Sequence, residues 1–343
     1  MSSKKTKCVL IIRLSALGDV AIAAPLIRYY AENNPDIKFI MLSQPATGCF
    51  FEGIRNLEFV AADIRGREKR LPGLLKFCRV LEKKYEITHV ADLHDVIRSR
   101  IIRNHLYLRG IRHISIIDKG RSEKKAMTRR KNKILIPLET SMRRYEDVLC
   151  ALRIKDLNFS SLPAPIKSNK NSSAFRRIGF APFASHRGKC WPKEYCEILI
   201  SLMAKDGNNN KIILFGGGKE ETSMLEEWAD RYPNTESSAG RHKLNEELEL
   251  MKSLDVMVTM DSANMHLASF AGTPVVSIWG ATHPYAGFYG YGQPYENAVQ
   301  TNLECRPCSV FGNKKCFRGD YACMRLIKPE NVLRKIYEAT GVI

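Results

Sequence analysis

Val258-Thr-Met-Asp-Ser-Ala-Asn-Met-His-Leu-Ala-Ser-Phe-Ala-Gly-Thr-Pro-Val-Val-Ser-Ile-Trp-Gly280 reads as strand, turn, helix, turn, strand. Asp261 and Ser262 sit at the turn into the helix, Ser262 suits its N-cap, and His266 follows about one turn later. Gly272 stops the helix and Pro274 keeps it from continuing. Two apolar strands around one short helix form a βαβ unit, so the strands are expected to be parallel. A ligand then belongs at the carboxyl end of the first strand, where the backbone N–H groups of Ser262, Ala263 and Asn264 meet an anion. An ordinary capped βαβ unit accounts for Ser262, Gly272 and Pro274. It leaves unexplained an Asp and a His that both face the crevice, so the segment reads as a binding site.

Outward from this unit the same alternation fills the chain. Toward the N-terminus of this half lie strand 177–181, helix 193–205, strand 211–215, helices 220–231 and 244–253, and strand 256–260. Residues 329–339 read as a closing helix. The first half carries strands at 9–14, 37–42, 57–61, 89–93 and 113–117, with helices at 20–33, 73–84, 97–108 and 142–152. The pattern is doubly wound α/β. Residues 161–174 are rich in Pro, Ser and Asn and read as a linker. The expected domains are therefore 1–160 and 175–328, both Rossmann-like, followed by helix 329–343.

The 343 residues suffice for two such cores. No apolar run approaches the roughly 18–20 residues of a bilayer span. The N-terminal strand ends in Arg13 and a Gly-Asp turn without a cleavage site, so a cytoplasmic protein is expected. The net charge of +18 implies a polyanionic partner, and it concentrates in 65–70, 98–112 and 119–133. Aromatic residues are not interleaved with these runs as base stacking requires, so nucleic acid is not the expected partner. A phosphorylated glycolipid at a membrane surface fits the charge better.

Three ordered motifs resemble one family. Asp261-Ser-x-x-Met-His-Leu-Ala, then Gly272-Thr-Pro-Val-Val and Trp279-Gly-Ala-Thr-His-Pro, are similar to the donor-site signature of the ADP-heptose:lipopolysaccharide heptosyltransferases, glycosyltransferase family 9. Ile12-Arg-Leu-Ser-Ala-Leu-Gly-Asp-Val20 matches at one end, and Gly179–Ser185 followed by Lys189-Cys-Trp-Pro192 matches between. The resemblance implies a GT-B fold, two Rossmann-like doubly wound domains facing a crevice, whose C-terminal helix often crosses back to the first domain. It implies heptose transfer from ADP-heptose to a lipopolysaccharide core acceptor by a single inverting displacement, with no metal needed for the chemistry. The enzyme would work at the cytoplasmic face of the inner membrane, as a peripheral protein.

The resemblance also assigns residues. Glycosyl transfer needs a base for the acceptor hydroxyl, and a carboxylate in a closed site can serve. By spacing alone Asp19 is equally a base or a helix cap, and the resemblance marks it as the base. Lys189, with Ser185, is implied to bind the donor diphosphate, and Arg187 lies between them to share the role. Glu221, or Glu220, in the Gly216-Gly-Gly-Lys-Glu-Glu turn, is implied to reach the nucleoside, although charge complementarity at a helix start explains either almost as well. Asp261 and His266 would hold sugar hydroxyls or orient their turn. Arg65, Arg67, Arg70, Arg98 and Arg100 are expected to receive the anionic acceptor.

Cys305-x2-Cys308-x7-Cys316-x6-Cys323 gathers four of the ten cysteines. A structural Zn²⁺ site, free thiols and a disulfide are all open readings, the last disfavoured in a reducing cytosol. Lying away from the Asp19 and Asp261 motifs in sequence, the group is expected to carry stability before chemistry. Two rival functions stand beside heptosyl transfer. One is another nucleotide-sugar-dependent GT-B transferase of cell-envelope glycans. The other is a non-catalytic basic α/β protein binding lipid or nucleic acid. The chain indicates no oligomeric state.

Overall fold

The computed structural model describes residues 7–153, 176–206 and 209–341. The linker expected at 161–174 lies outside the described residues. By contacts, residues up to Lys119 join the helix at Ser141–Ala151 in one unit, while Gly120–Thr140 join the residues from Arg176 onward in the other.

The first unit is β1 (Cys8–Ile12), α1 (Leu17–Glu32), β2 (Lys38–Ser43), β3 (Leu57–Ala61), α2 (Leu71–Lys84), β4 (His89–Asp92), α3 (Ile97–Leu108) and β5 (His113–Ile116). All pairings among these strands are parallel, in the order β3-β2-β1-β4-β5. Every residue of β1 is buried, because helices cover both faces of the sheet. The chain winds from β1 outward to β3, then returns to place β4 on the other side of β1. This reversal is the switch point where α/β sheets bind ligands. The register pairs Ile12 with Asp92, so the turns after β1 and β4 leave the sheet side by side.

Helix α4 (Arg121–Met127) and the extended segment after it belong to the second unit, whereas the sequence places them with the first. Lys133 Nζ donates to the carbonyls of Cys305 and Pro307, and Leu138 N donates to Tyr285 O at 2.9 Å. Helix α5 (Ser141–Ala151) returns to cover α1, with Tyr30 OH donating to Leu149 O.

The second unit continues with β6 (Arg176–Ala181), α6 (Lys193–Lys205), β7 (Asn210–Leu214), α7 (Lys219–Arg231), β8 (Thr235–Ser237), α8 (Leu244–Lys252), β9 (Val256–Met260), α9 (Ala263–Phe270), β10 (Val275–Trp279), β11 (Ala298–Gln300), α10 (Ala322–Arg325) and α11 (Pro329–Thr340). Its strands are again all parallel, in the order β11-β10-β9-β6-β7-β8, with the reversal between β6 and β9. Helix α11, the one expected to cross back to the first domain, packs in this unit's core. Val332 and Ile336 of α11 are buried in this unit's core beside Leu199 and Ile278. An amphipathic helix docks where its apolar stripe finds a sheet face, and α11 finds one on its own unit.

Candidate active site

In the first unit the polar groups cluster at the switch point. Helix α1 begins at Leu17, so Asp19 lies in its first turn. Its Oδ2 accepts from Ala16 N at 3.2 Å and meets Arg13 Nη2 at 2.5 Å. The capping role is therefore present, together with an ion pair. Arg13 is buried, donates to Leu93 O at 2.7 Å and lies over the buried Tyr145 ring. Burial works against the Arg13 charge, yet Tyr145 and Asp19 hold its pKa above the usual value.

The end of β4 and the turn after it, Asp92-Leu93-His94-Asp95, supply the rest. Asp92 is fully buried and its Oδ1 accepts from the backbone N–H groups of His94 and Asp95 at 2.9 and 2.8 Å. Its Oδ2 meets Arg103 Nη1 at 2.5 Å. Asp95 takes a left-handed φ of 44°, which Asp tolerates, and accepts a two-pronged contact from Arg100 at 2.9 Å on each oxygen. The Nδ1 atom of His94 accepts from Leu14 N at 3.3 Å, so the neutral ring carries its proton on Nε2. Burial, with Arg13 and Lys119 nearby, pushes the His94 pKa down to about 3.

Arg65, Arg67 and Arg70 are exposed on the loop after β3, at the carboxyl edge of the same sheet. Arg98 lies in the first turn of α3 after β4. Arg100, expected to face an acceptor, is committed to Asp95 and so helps to build the turn. Sequence reading missed Arg13, Asp92, His94, Asp95 and Arg103. The available signal is three polar residues, Asp92, His94 and Asp95, gathered where β4 ends.

The second unit repeats the logic. Lys189 ends a short 3-10 turn after β6, and Asp261 directly follows β9. Their side chains meet across the switch point, Nζ to Oδ2 at 2.9 Å, as an ionic contact without the direction of a hydrogen bond. Asp261 is buried and Lys189 is largely so. Ser262 is the N-cap residue of α9 by position, but its hydroxyl does not cap. It pairs instead with Thr259 Oγ1 at 3.1 Å. The first N–H groups of α9 are thus not taken by that side chain, and Ala263 is exposed while Asn264 and His266 are half-buried. Ser185 is exposed on the loop that leads to Lys189. Arg187 does not join Lys189: its guanidinium stacks over the Tyr321 ring at 4.9 Å. Glu221 Oε2 accepts from Gly217 N at 2.9 Å and so closes the glycine turn.

The Lys189 turn is built by close backbone approach. A Cβ on Gly188 would fall 2.7 Å from Gly312 O and 2.8 Å from Ala281 Cβ. Gly188 N donates to Gly312 O, Ala281 N to Gly188 O, and Cys308 N to Ala281 O. The cysteine loop, distant in sequence, thereby braces the Lys189 turn. Cys305, Cys308, Cys316 and Cys323 line one cavity of about 10 Å³ and are free thiols. Arg306 is buried beside them and donates only to neutral oxygens, of Gly280, Thr282, Thr301 and Gln300. Burial lowers its pKa to about 10, although the neighbouring cysteines oppose the shift. Among the described residues, no three Cys, His, Asp or Glu side chains converge closely enough to hold a metal ion as they stand.

Two parallel α/β units, each with charged side chains gathered at its switch point, define a GT-B type of transferase fold. The family model for glycosyltransferase family 9 (heptosyltransferase) matches residues 114–317. A lipooligosaccharide heptosyltransferase 2 of Campylobacter jejuni is 21% identical over 332 residues, covering 93% of this chain and 95% of its own. The crystal structure of a family 9 glycosyltransferase from Veillonella parvula superposes with a TM-score of 0.74 at 16% identity, over 99% and 98% of the two chains. The E. coli heptosyltransferase WaaC with ADP-2-deoxy-2-fluoro heptose superposes at 0.67 and 18% identity, over 96% and 99%. The chain belongs to glycosyltransferase family 9, the heptosyltransferase family, and is a glycosyltransferase.

Proposed function

We propose that the protein transfers heptose from ADP-heptose to a lipopolysaccharide core acceptor by a single inverting displacement. Asp19 takes the proton from the acceptor hydroxyl, whose oxygen attacks the anomeric carbon. The bond from that carbon to the diphosphate breaks, and ADP leaves with the electron pair. Lys189, Ser185 and the N–H groups at Ser262, Ala263 and Asn264 meet the charge that develops on the diphosphate. This donor set supplies electrostatic help from the Lys189 ammonium and backbone dipoles, with no metal ion called for in the step. Asp261 holds Lys189 in place and, with His266, meets sugar hydroxyls. Glu221 offers the ribose its second carboxylate oxygen. Arg65, Arg67, Arg70 and Arg98 receive phosphates of the acceptor, and Arg100 acts through Asp95. Among the described residues no helix is long and apolar enough to cross a membrane. The reading places the enzyme at the cytoplasmic face of the inner membrane, as a peripheral protein.

The observation that carries this reading is that Asp19 and the Lys189–Asp261 pair each stand at the switch point of their own parallel sheet. Incubation with ADP-heptose and a deacylated core acceptor tests it, with the product read by mass. A gain of one heptose residue is expected. Turnover of another nucleotide sugar in preference to ADP-heptose would overturn the donor assignment.

The four cysteines are proposed to hold a thiophilic cation that fastens their loop. Their chemistry suits such an ion: thiolates would give the carbonyl-bound Arg306 and Lys133 a nearby negative charge. The thiols must draw together to ligate it, since they do not converge as they stand.

A further inference from the structure

Arg129-Arg-Lys-Asn-Lys-Ile-Leu-Ile-Pro137 runs over the surface of the second unit, and three consecutive aliphatic side chains of it face solvent. Ile134, Leu135 and Ile136, with Phe311 and Phe317 of the cysteine loop, are each 45–56% exposed. Consecutive exposed apolar residues disfavour a free soluble surface and mark a surface that is used. The two stretches are neighbours. Arg130 stacks over Phe317 at 4.7 Å, Lys133 is fastened to the carbonyls of Cys305 and Pro307, and Phe311 packs near Phe288. The aliphatic run is held at both ends, by Lys133 and by Leu138 N on Tyr285 O. It is therefore displayed on a fixed backbone.

We infer that this face is a docking surface for an anionic lipid bilayer. Its charge selects the occupant. Residues 128–138 and 305–318 contain no Asp or Glu, while Arg129, Arg130, Lys131, Lys314 and Lys315 are exposed around the apolar side chains. Aliphatic and aromatic groups ringed by cations suit the boundary between acyl chains and anionic headgroups. A second copy of the chain suits it poorly, because a two-fold contact would press this cationic ring onto itself. The face also abuts the donor lysine. Gly312 follows Phe311, accepts from Gly188 N at 3.2 Å and packs on the Lys189 side chain. A bilayer seated here would lie beside the donor turn, where a membrane-borne acceptor must arrive. That purpose rests on the heptosyl-transfer reading, but the binding itself does not.

Co-sedimentation of the full chain with vesicles lacking any acceptor tests the binding. Vesicles of phosphatidylcholine with about one-third phosphatidylglycerol should bind the protein, and pure phosphatidylcholine should bind it much less. Arg129→Gln with Lys131→Gln should weaken binding about fivefold per cation removed. Ile134→Glu with Ile136→Glu should abolish it, with melting temperature and ADP-heptose turnover on a deacylated acceptor unchanged. Ile136→Ser alone, a milder change at an exposed position, should still weaken binding. Equal binding to both vesicle types, unchanged binding in the Glu variant, or a concentration-dependent dimer that this variant dissolves would overturn the inference. Vesicle binding without ADP-heptose turnover would overturn the function and leave the docking face standing.

Discussion

Arg13 Nη2 lies 2.5 Å from Asp19 Oδ2, and the same oxygen accepts from Ala16 N at the start of α1. One carboxylate thus closes a helix start and neutralises a buried cation. Its position is fixed by both contacts, which is what a group meeting an acceptor hydroxyl requires.

Asp19→Asn keeps the shape and the Ala16 contact but removes the base and the charge beside Arg13. Turnover should fall by on the order of 10²–10⁴-fold, while ADP affinity stays near normal. Some stability should also be lost, because Arg13 is left buried without its ionic partner. The melting temperature and ADP titration separate the two effects. Retention of more than about a tenth of wild-type turnover would remove Asp19 from the chemistry.

Lys189→Gln should weaken ADP binding about 10–100-fold, the range for one lost charge-assisted hydrogen bond. It also leaves the buried Asp261 unpaired, so the free protein should melt lower. Calorimetric ADP binding checks the first effect. Unchanged affinity would detach Lys189 from the diphosphate.

Arg65, Arg67 and Arg70 are exposed, and the contact of Arg67 with Glu68 is long at 3.9 Å. Such charges are screened over about 8–10 Å at moderate salt. Acceptor KM should therefore climb with ionic strength, and the triple change to Gln should raise acceptor KM while donor KM holds. An equal rise in both would point to a general defect.

His94 sets an acid limit on stability. Its pKa is about 3 in the fold against an ordinary value of 6.5, so between these pH values the unfolded chain binds a proton that the folded chain refuses. Stability is then complete above pH 6.5 and is lost as pH falls toward 3. The loss due to this ring should reach about 2 kcal/mol by pH 5. Denaturant melts at pH 7 and 5 measure it. His94→Gln should flatten that limb by a similar amount, and an unaltered limb would place the acid sensitivity elsewhere.

Much of the fold is legible in the sequence because buried parallel strands write themselves as apolar runs punctuated by Gly and Pro. The strand read at 256–260 matches β9, and the helix stop at Gly272 follows α9 as expected. What stays hidden depends on contacts between residues remote in sequence. His94 is placed by Leu14, 80 positions away, and the affiliation of 120–140 turns on Lys133 reaching Cys305, 172 positions away. No local period reports such pairs. Side-chain commitments are hidden for the same reason. Arg100 reads as a free cation until Asp95 turns toward it, and Ser262 reads as a cap until Thr259 claims its hydroxyl.

The cysteine loop should couple thiol chemistry to donor binding. Cys308 N holds Ala281 O, Ala281 N holds Gly188 O, and Gly188 N holds Gly312 O, so the backbone around the thiols and the Lys189 turn form one closed circuit. If an ion fastens the loop, freshly reduced protein should carry about one zinc or iron per chain, and a strong chelator should lower the melting temperature by about 5 °C or more. Cys305→Ser with Cys308→Ser should do the same and also raise donor KM, since the Lys189 turn loses its brace. Elemental analysis without zinc or iron would reject the ion. A normal donor KM in the double variant would show that the backbone contacts hold the turn unaided, leaving the thiols a part in stability alone.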